Sequence, residues 1–286
     1  MASGARAGSS HGSGLAFGLL STACLTALIG APAARADTAG LYIDPVAIQG
    51  RSSMPERPFG LLGDAAAPGA GVMTLGYFFG VASGGSAERP LSVDPAAGAG
   101  GVHGASLGYG VTDRLTPFAS VGFADGFTTA GSKMAAAIAG ATYQLTDAHA
   151  PPRFSLTGGV AYEAATGAFG LTTLAAASLD RGPLRLAANL RADKSFAPGR
   201  DTIDLFTQLG VSYRVAAVLR LGAEYMGQDL EDLFEADVEG GARQAVGPSV
   251  ALDLDGGRYQ VTVASGFGIG AKSPRAVVRA GVGFMF

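Results

Sequence analysis

The chain reads as an all-β protein: a transmembrane, up-and-down antiparallel β-barrel of about 12 strands with both termini on the periplasmic side. Three observations predict it. From Val72 onward, apolar residues alternate with small or polar ones in segment after segment, the period of two that sends successive side chains to opposite faces of a strand. Charged residues make up only 15% of the 286 residues and mean hydropathy is +0.30, yet beyond the N-terminus nothing approaches the roughly 20 apolar residues that a spanning helix needs. The final stretch, Pro274 to Phe286, is a strand with one wholly apolar face (Ala276, Val278, Ala280, Val282, Phe284, Phe286). Its other face holds Arg275, Val277, Arg279, Gly281, Gly283 and Met285. In a soluble sheet this strand would present an apolar, unpaired edge that invites aggregation. In a closed barrel it pairs with the first strand, and Phe286, Phe284 and Val282 form the C-terminal signal that a barrel-assembly machinery reads.

The N-terminal residues read as a secretory signal. Arg6 supplies the positive region, Leu15 to Ile29 the apolar core, and Ala34-Arg35-Ala36 a small-x-small cleavage site before Asp37. Cys24 lies within the apolar core rather than at its end, which argues against a lipoprotein. Cleavage after residue 36 removes the only cysteine, so the mature chain holds no internal disulfide or thiolate metal site. It also removes Arg6 and Arg35 and no acids, leaving 18 basic against 23 acidic residues. That balance excludes a nucleic-acid partner, which wants a basic face.

Residues 37–70 are set apart by Pro45, Pro55, Pro58 and Pro68 and show no sustained period. They form either a periplasmic extension or a plug within the barrel, and residues 71–286 form the barrel itself. Its first strand sets Met73, Leu75, Tyr77, Phe79 and Val81 against Thr74, Gly76, Phe78 and Gly80. A long connection, Ala82 to Gly100, leads to a second strand over Val102 to Val111, and Thr112-Asp-Arg114 turns into a third over Leu115 to Phe123. The fourth, Lys133 to Leu145, is so rich in alanine that its facing stays open. Beyond Pro151-Pro152, a fifth strand sets Phe154, Leu156, Val160 and Tyr162 against Ser155, Thr157 and Glu163. A sixth runs over Phe169 to Leu179, and Asp180-Arg-Gly-Pro183 makes a tight turn. The seventh to ninth continue the pattern through Leu184–Asp193, Ile203–Tyr213 and Leu219–Tyr225. The long acidic connection Gln228 to Arg243 precedes a tenth strand ending near Leu254. Asp255-Gly-Gly257 signals a hairpin into the eleventh, from Tyr259 to Phe267. Longer connections follow odd-numbered strands and short turns follow even-numbered ones, the pattern of a barrel with short periplasmic turns. The chain has no Trp, so its aromatic girdles rest on sparse Tyr and Phe.

The segment Gly108-Tyr-Gly-Val-Thr-Asp-Arg-Leu115, the strand after it, and Ile138-Ala-Gly-Ala-Thr-Tyr-Gln-Leu145 resemble a recurrent pattern in one outer-membrane family. That family is named for transport in the meta-pathway of phenol degradation. Val211-Ser-Tyr-Arg214 and Arg279-Ala-Gly-Val-Gly-Phe-Met-Phe286 are similar to it as well. The resemblance covers about half the mature chain and implies a channel or transporter for small aromatic or hydrophobic compounds in a Gram-negative outer membrane. It carries over no site residues.

Catalytic signals are weak. Gly104-Ala-Ser-Leu-Gly108 matches the G-x-S-x-G pattern, but a nucleophile elbow needs a sharp strand-to-helix turn and this match falls inside a strand. An outer-membrane lipid-modifying enzyme would pair a serine with a histidine. His103 falls on the face opposite Ser106, and His149 lies in a turn. The acidic run Asp229 to Glu239 matches no established calcium loop, so neither a metal nor a cofactor is expected.

The inward faces carry the functional expectation. By strand parity Arg185, Arg191, Asp204, Arg220, Glu224, Asp253, Arg258, Arg275 and Arg279 point into the lumen. An ionised side chain facing lipid at mid-membrane would cost roughly 2–4 kcal/mol, which drives these residues inward. They face small neutral residues of the N-terminal half, leaving room for a water-filled passage. The expected activity is passive passage of a small-molecule solute across the outer membrane, with lipids as the surrounding partner. The alternative is a non-conducting structural or adhesive barrel acting through its extracellular loops.

Overall fold

The computed structural model describes residues 65–83, 100–124, 133–147, 151–164, 166–198, 203–228, 243–270 and 273–286. Residues 1–64, among them the expected signal segment, His149 and the acidic run 229–239 lie outside them. The described chain closes into one barrel of antiparallel strands, each paired with its sequence neighbours and β1 with β12. The strands are β1 Met73–Ser83, β2 Gly100–Tyr109, β3 Leu115–Ala124, β4 Lys133–Gln144, β5 Arg153–Glu163 and β6 Ala168–Arg181. They continue as β7 Leu184–Ser195, β8 Asp204–Ala216, β9 Leu219–Gln228, β10 Arg243–Leu254, β11 Tyr259–Ile269 and β12 Ala276–Met285. Closure runs in register from Thr74 opposite Met285 to Ser83 opposite Ala276. It is extended by reciprocal backbone bonds between Met73 and Phe286, 2.9 and 3.1 Å.

Burial alternates along the strands, and in a closed barrel the more buried side faces the lumen. On β5, Ser155, Ala161 and Glu163 are buried while Phe154, Leu156 and Val160 are exposed; on β6, Gly170, Thr172, Ala176 and Ser178 are buried while Phe169 and Leu171 are exposed. The alanine-rich β4 takes its facing from its end: Gln144 is wholly buried, so Ala136, Ile138, Gly140 and Thr142 share the inner face with it. Tyr143 and Leu145 are exposed on the outside.

The outer surface is apolar between two aromatic bands. Tyr109, Tyr143, Phe154, Tyr213, Tyr259 and Phe284 lie toward the end bearing the short turns, here the turn end. Phe79, Phe123, Tyr162, Phe169, Tyr225 and Phe267 lie toward the opposite, loop end. On β5 and β11 the two bands are eight residues apart, Phe154 to Tyr162 and Tyr259 to Phe267. At about 3.3 Å per residue and a tilt of about 40°, that is roughly 20 Å along the axis, close to the apolar band of an outer-membrane barrel. Rings meet between strands: Tyr162 and Phe169 centroids stand 5.3 Å apart, and Tyr259 meets Phe284 edge-on at 5.7 Å. Among the described residues, the charged side chains of outward parity, Arg181 and Lys194, sit at strand ends, where the cost of facing the membrane falls toward zero.

The turns follow their residues. Gly182 takes φ 60° in the two-residue link between β6 and β7. After β10 a short 3-10 turn over Asp255–Gly257 holds Asp255, Gly256 and Gly257 at φ 49°, 65° and 90°. At the β2–β3 turn the Thr112 hydroxyl accepts from the backbone N–H of Leu115 (3.0 Å) and Arg114 (3.2 Å), and Arg114 pairs with Asp147 of the next turn.

Candidate pore wall

The inner wall is charged along β5–β10 and nearly neutral along β1–β4. Its densest network lies at the turn end. Arg185 of β7 donates to Asp180 of β6 from Nε (2.7 Å, to Oδ1) and Nη2 (3.0 Å, to Oδ2). Arg153 of β5 binds the same carboxylate from the other side and donates through Nε to Ser178 Oγ at 3.3 Å. Two guanidinium groups therefore share one carboxylate across three adjacent strands. Further round, Asp253 of β10 accepts from Gln260 Nε2 at 2.9 Å and pairs with Arg214 of β8 at 3.5 Å. Arg214 also donates to the Ala217 carbonyl (3.1 Å), and Arg220 of β9 to the Pro183 carbonyl (3.3 Å).

Toward the loop end, Asp193 of β7 is almost fully buried and accepts from the Thr172 hydroxyl at 2.6 Å. Arg191 Nε lies 3.2 Å from Asp193 Oδ2 without hydrogen-bond alignment, an ion pair only, and its guanidinium stacks 4.1 Å over the Phe206 ring. Glu163 accepts from the Thr166 hydroxyl at 2.9 Å. Arg279 of β12 is 2% exposed and sets Nη2 3.2 Å from Met226 Sδ. Above it an apolar cluster joins Ala82, Met226, Ala245 and Val277 on the inner face, and Gly266 of β11, lacking a side chain, lets its flanking strands meet.

Of the residues the alternation points inward, Arg185, Arg220, Glu224 and Arg279 are buried on the inner wall, and Arg185, Arg220 and Glu224 line one cavity with Ser212, Ser249 and Thr262. Arg191, Asp204 and Asp253 also lie on inward positions, half-buried. Arg258 and Arg275 do not join the wall. Arg258 follows the 3-10 turn and is exposed, and Arg275 precedes β12 at the opposite rim, also exposed. Parity assigns a face only within a strand, and both residues lie outside one.

Five wall charges lie beyond that set. Arg153 and Asp180 stand where the sequence signals turns, Arg214 lies past the apparent end of its strand, and Glu163 and Asp193 read only as polar residues within theirs. β5, β6 and β8 are longer than their apolar cores. Parity carried on from Ser155, Ser178 and Ser212 would have reached the first three.

Gly104 to Gly108 runs straight through β2, paired on both sides. Gly104 is a packing position, since a Cβ there would fall 2.4 Å from the Val121 carbonyl and 2.6 Å from the Phe78 ring. His103 faces outward, 3.2 Å from the Tyr77 hydroxyl through Nδ1 and stacked on Phe123 at 5.3 Å, with Ser106 on the inner face. No nucleophile elbow forms at this motif.

The last part of the N-terminal region that the structure describes folds against the turn-end mouth. Ala65 and Ala67 are buried, and Ala67 N–H donates to Gln144 Oε1 at 2.6 Å. Ala70 N–H donates to Asp113 Oδ1 (3.1 Å) and Gly71 N–H to the Gly110 carbonyl (2.7 Å).

This geometry defines a class: an outer-membrane type of β-barrel with an apolar outside and a polar, charge-braced interior. Solved structures agree with the fold. The chain is similar to the COG4313 outer membrane channel from Pseudomonas putida F1, at 14% identity and a TM-score of 0.51, covering 78% of this chain and 98% of that one. It is also similar to the KdgM porin in complex with disordered oligogalacturonate, at 11% identity and a TM-score of 0.50, covering 74% and 99%. No protein-family model matches the chain, and no curated protein matches its sequence.

Proposed function

We propose that the protein is an outer-membrane channel for passive passage of small solutes, small aromatic or hydrophobic compounds among them. The observation that carries this reading is the two-sided inner wall. Ion-paired arginines and carboxylates brace β5–β10, while the inner faces of β1–β4 are uncharged where described, mostly glycine, alanine, serine and threonine with Phe78, Phe118 and Ile138 among them. Such a wall hydrates readily, and a barrel of this size stands between side-chain-filled small barrels and open porins. Two barrels of similar fold are a channel and a porin, which supports the same activity here.

In this reading the turn end faces the periplasm with both termini, a leader of residues 1–36 is removed, and Phe286, Phe284 and Val282 present the assembly signal. Residues 37–70 would partly occlude the periplasmic mouth, a role supported by the Ala67–Gln144 contact. The inward charges would set selectivity. The test is single-channel conductance of the folded, heat-modifiable protein in planar bilayers, with Arg279→Ala alongside. Discrete conductance steps that change in the variant are expected. A folded barrel that neither conducts nor swells liposomes would overturn the proposal.

A further inference from the structure

The membrane-facing surface carries an ionisable ring inside a strand. His103 lies on the outer face of β2, directly opposite Phe79 of β1 and Phe123 of β3, at the level of the loop-end aromatic band. An ionisable group turned toward lipid is costly to keep and marks a functional site by default. Its ring is held in place: the Tyr77 hydroxyl stands 3.2 Å from Nδ1, and the Phe123 ring stacks on it at 5.3 Å and 22°. The Tyr77 contact fixes the direction of the imidazole, so an acceptor arriving from the membrane is met by Nε2. Tyr77, Phe79, His103 and Phe123 thus form one patch of rings across three strands, apolar over their faces and polar at the imidazole edge.

Below this patch the outer face turns shallow. On β7–β9 the outward positions between the aromatic bands carry exposed Leu190, Leu209, Val211 and Leu221. On β3 and β4 they carry Ala119, Ala137, Ala139 and Ala141, and register brings Gly158 of β5 beside Ala141 and sets Ala119 opposite Ala139. Leu107 of β2 rises on one side of that row and Val160 of β5 on the other. The result is a trough running about 13 Å along the strand from Ala137 to Ala141. Its upper end meets Val121 and the Phe123 edge of the ring patch.

We propose that this face binds one acylated sugar phosphate of the outer leaflet. Its phosphate takes the hydrogen bond of His103 Nε2, its sugar ring packs a C–H face on Phe123 and Phe79, and an acyl chain lies in the alanine trough. The inference takes from the proposed function only the direction of the barrel, loop end outward. Small residues on a membrane-facing surface allow close approach of a bound chain, and aromatic rings at the interface serve a ligand that is apolar at one end and wet at the other. A glycerophospholipid offers a phosphate and chains but no rigid ring to cover the aromatic faces. An acylated sugar phosphate offers all three in the order that His103, Phe123 and Ala139 present them.

The test is lipid occupancy of the mature chain folded in micelles, read by native mass spectrometry after titration with lipid A, phosphatidylethanolamine or phosphatidylglycerol. Lipid A should fill one site several-fold more fully than either phospholipid at equal concentration. His103→Ala should lower that occupancy several-fold by removing the phosphate contact. Ala139→Leu should lower it by filling the trough with a side chain that outward positions of β7–β9 already carry. The two variants act at opposite ends of the site, so a folding failure in one does not decide the matter. Ala223→Leu, outward on β9 and away from the site, should leave occupancy unchanged. Equal occupancy by the three lipids, preference for a phospholipid, or lipid A binding unchanged in both His103→Ala and Ala139→Leu would overturn the proposal and leave the channel reading standing. Absence of conductance in planar bilayers would overturn the channel reading alone.

Discussion

Arg185 of β7 grips Asp180 of β6 through two nitrogens, at 2.7 and 3.0 Å, while Arg153 of β5 holds the same carboxylate from the other side. Removing the acid leaves two guanidinium groups facing each other on a wall where Arg185 is 5% exposed. The carboxylate itself is one-third exposed, so water compensates in part and the full cost of orphaning a buried pair does not apply. Asp180→Ala should destabilise the barrel by about 1–3 kcal/mol in urea unfolding from micelles. Adding Arg185→Ala should recover part of that loss, and strictly additive effects would show that the two residues are not coupled.

Gln144 ties the chain before β1 to the wall of β4. Its side chain is wholly buried, accepts from Ala67 N–H and donates through Nε2 to the Thr146 carbonyl at 3.0 Å. Gln144→Ala leaves the Ala67 N–H without that acceptor, a loss of about 1–3 kcal/mol confined to this contact. Limited proteolysis should then cut near residues 65–71 several-fold faster, with little change in global unfolding. Equal cleavage rates would refute the tether.

Gly104 is required by its neighbours rather than by its backbone. A Cβ would fall 2.4 Å from a β3 carbonyl and 2.6 Å from the Phe78 ring. Gly104→Ala should lower stability by about 1–3 kcal/mol through overpacking. Phe78→Ala in the same chain should restore only part of that, because the carbonyl stays. The shift in heat-modifiable mobility on a gel reads both.

The outer face predicts a depth profile. Leu209 lies outward on β8 between the two aromatic bands, and Tyr213 lies in the turn-end band. Leu209→Arg should cost about 2–4 kcal/mol of folding into bilayers and Tyr213→Arg about 0–1 kcal/mol. Equal costs at both positions would mean that the apolar band is not centred on the membrane.

Much of the architecture was legible because a period of two is a local property. The facing of β1, β5, β7, β8, β9, β11 and β12 could be read from neighbours two residues apart, and so could the opposition of His103 and Ser106. Where locality failed, a physical reason is visible. β4 carries alanine on both faces, so its sequence has no contrast until Gln144. Arg258 and Arg275 keep the right parity but lie where the backbone has left the strand, and the left-handed residues Asp255 to Gly257 end the alternation before Arg258. Arg153, Asp180 and Arg214 are hidden in the sequence because polar residues at strand ends look like turns.

Alternation and composition constrain which face a side chain takes, so an antiparallel barrel of about twelve strands with an apolar outside and a charged inside can be read along the chain. Which inward residues meet depends on barrel closure. Arg214 and Asp253 are 39 residues apart, Arg279 and Met226 are 53 apart, and Ala67 and Gln144 are 77 apart. Their contacts depend on the tilt and register with which the strands close, and no single strand encodes either.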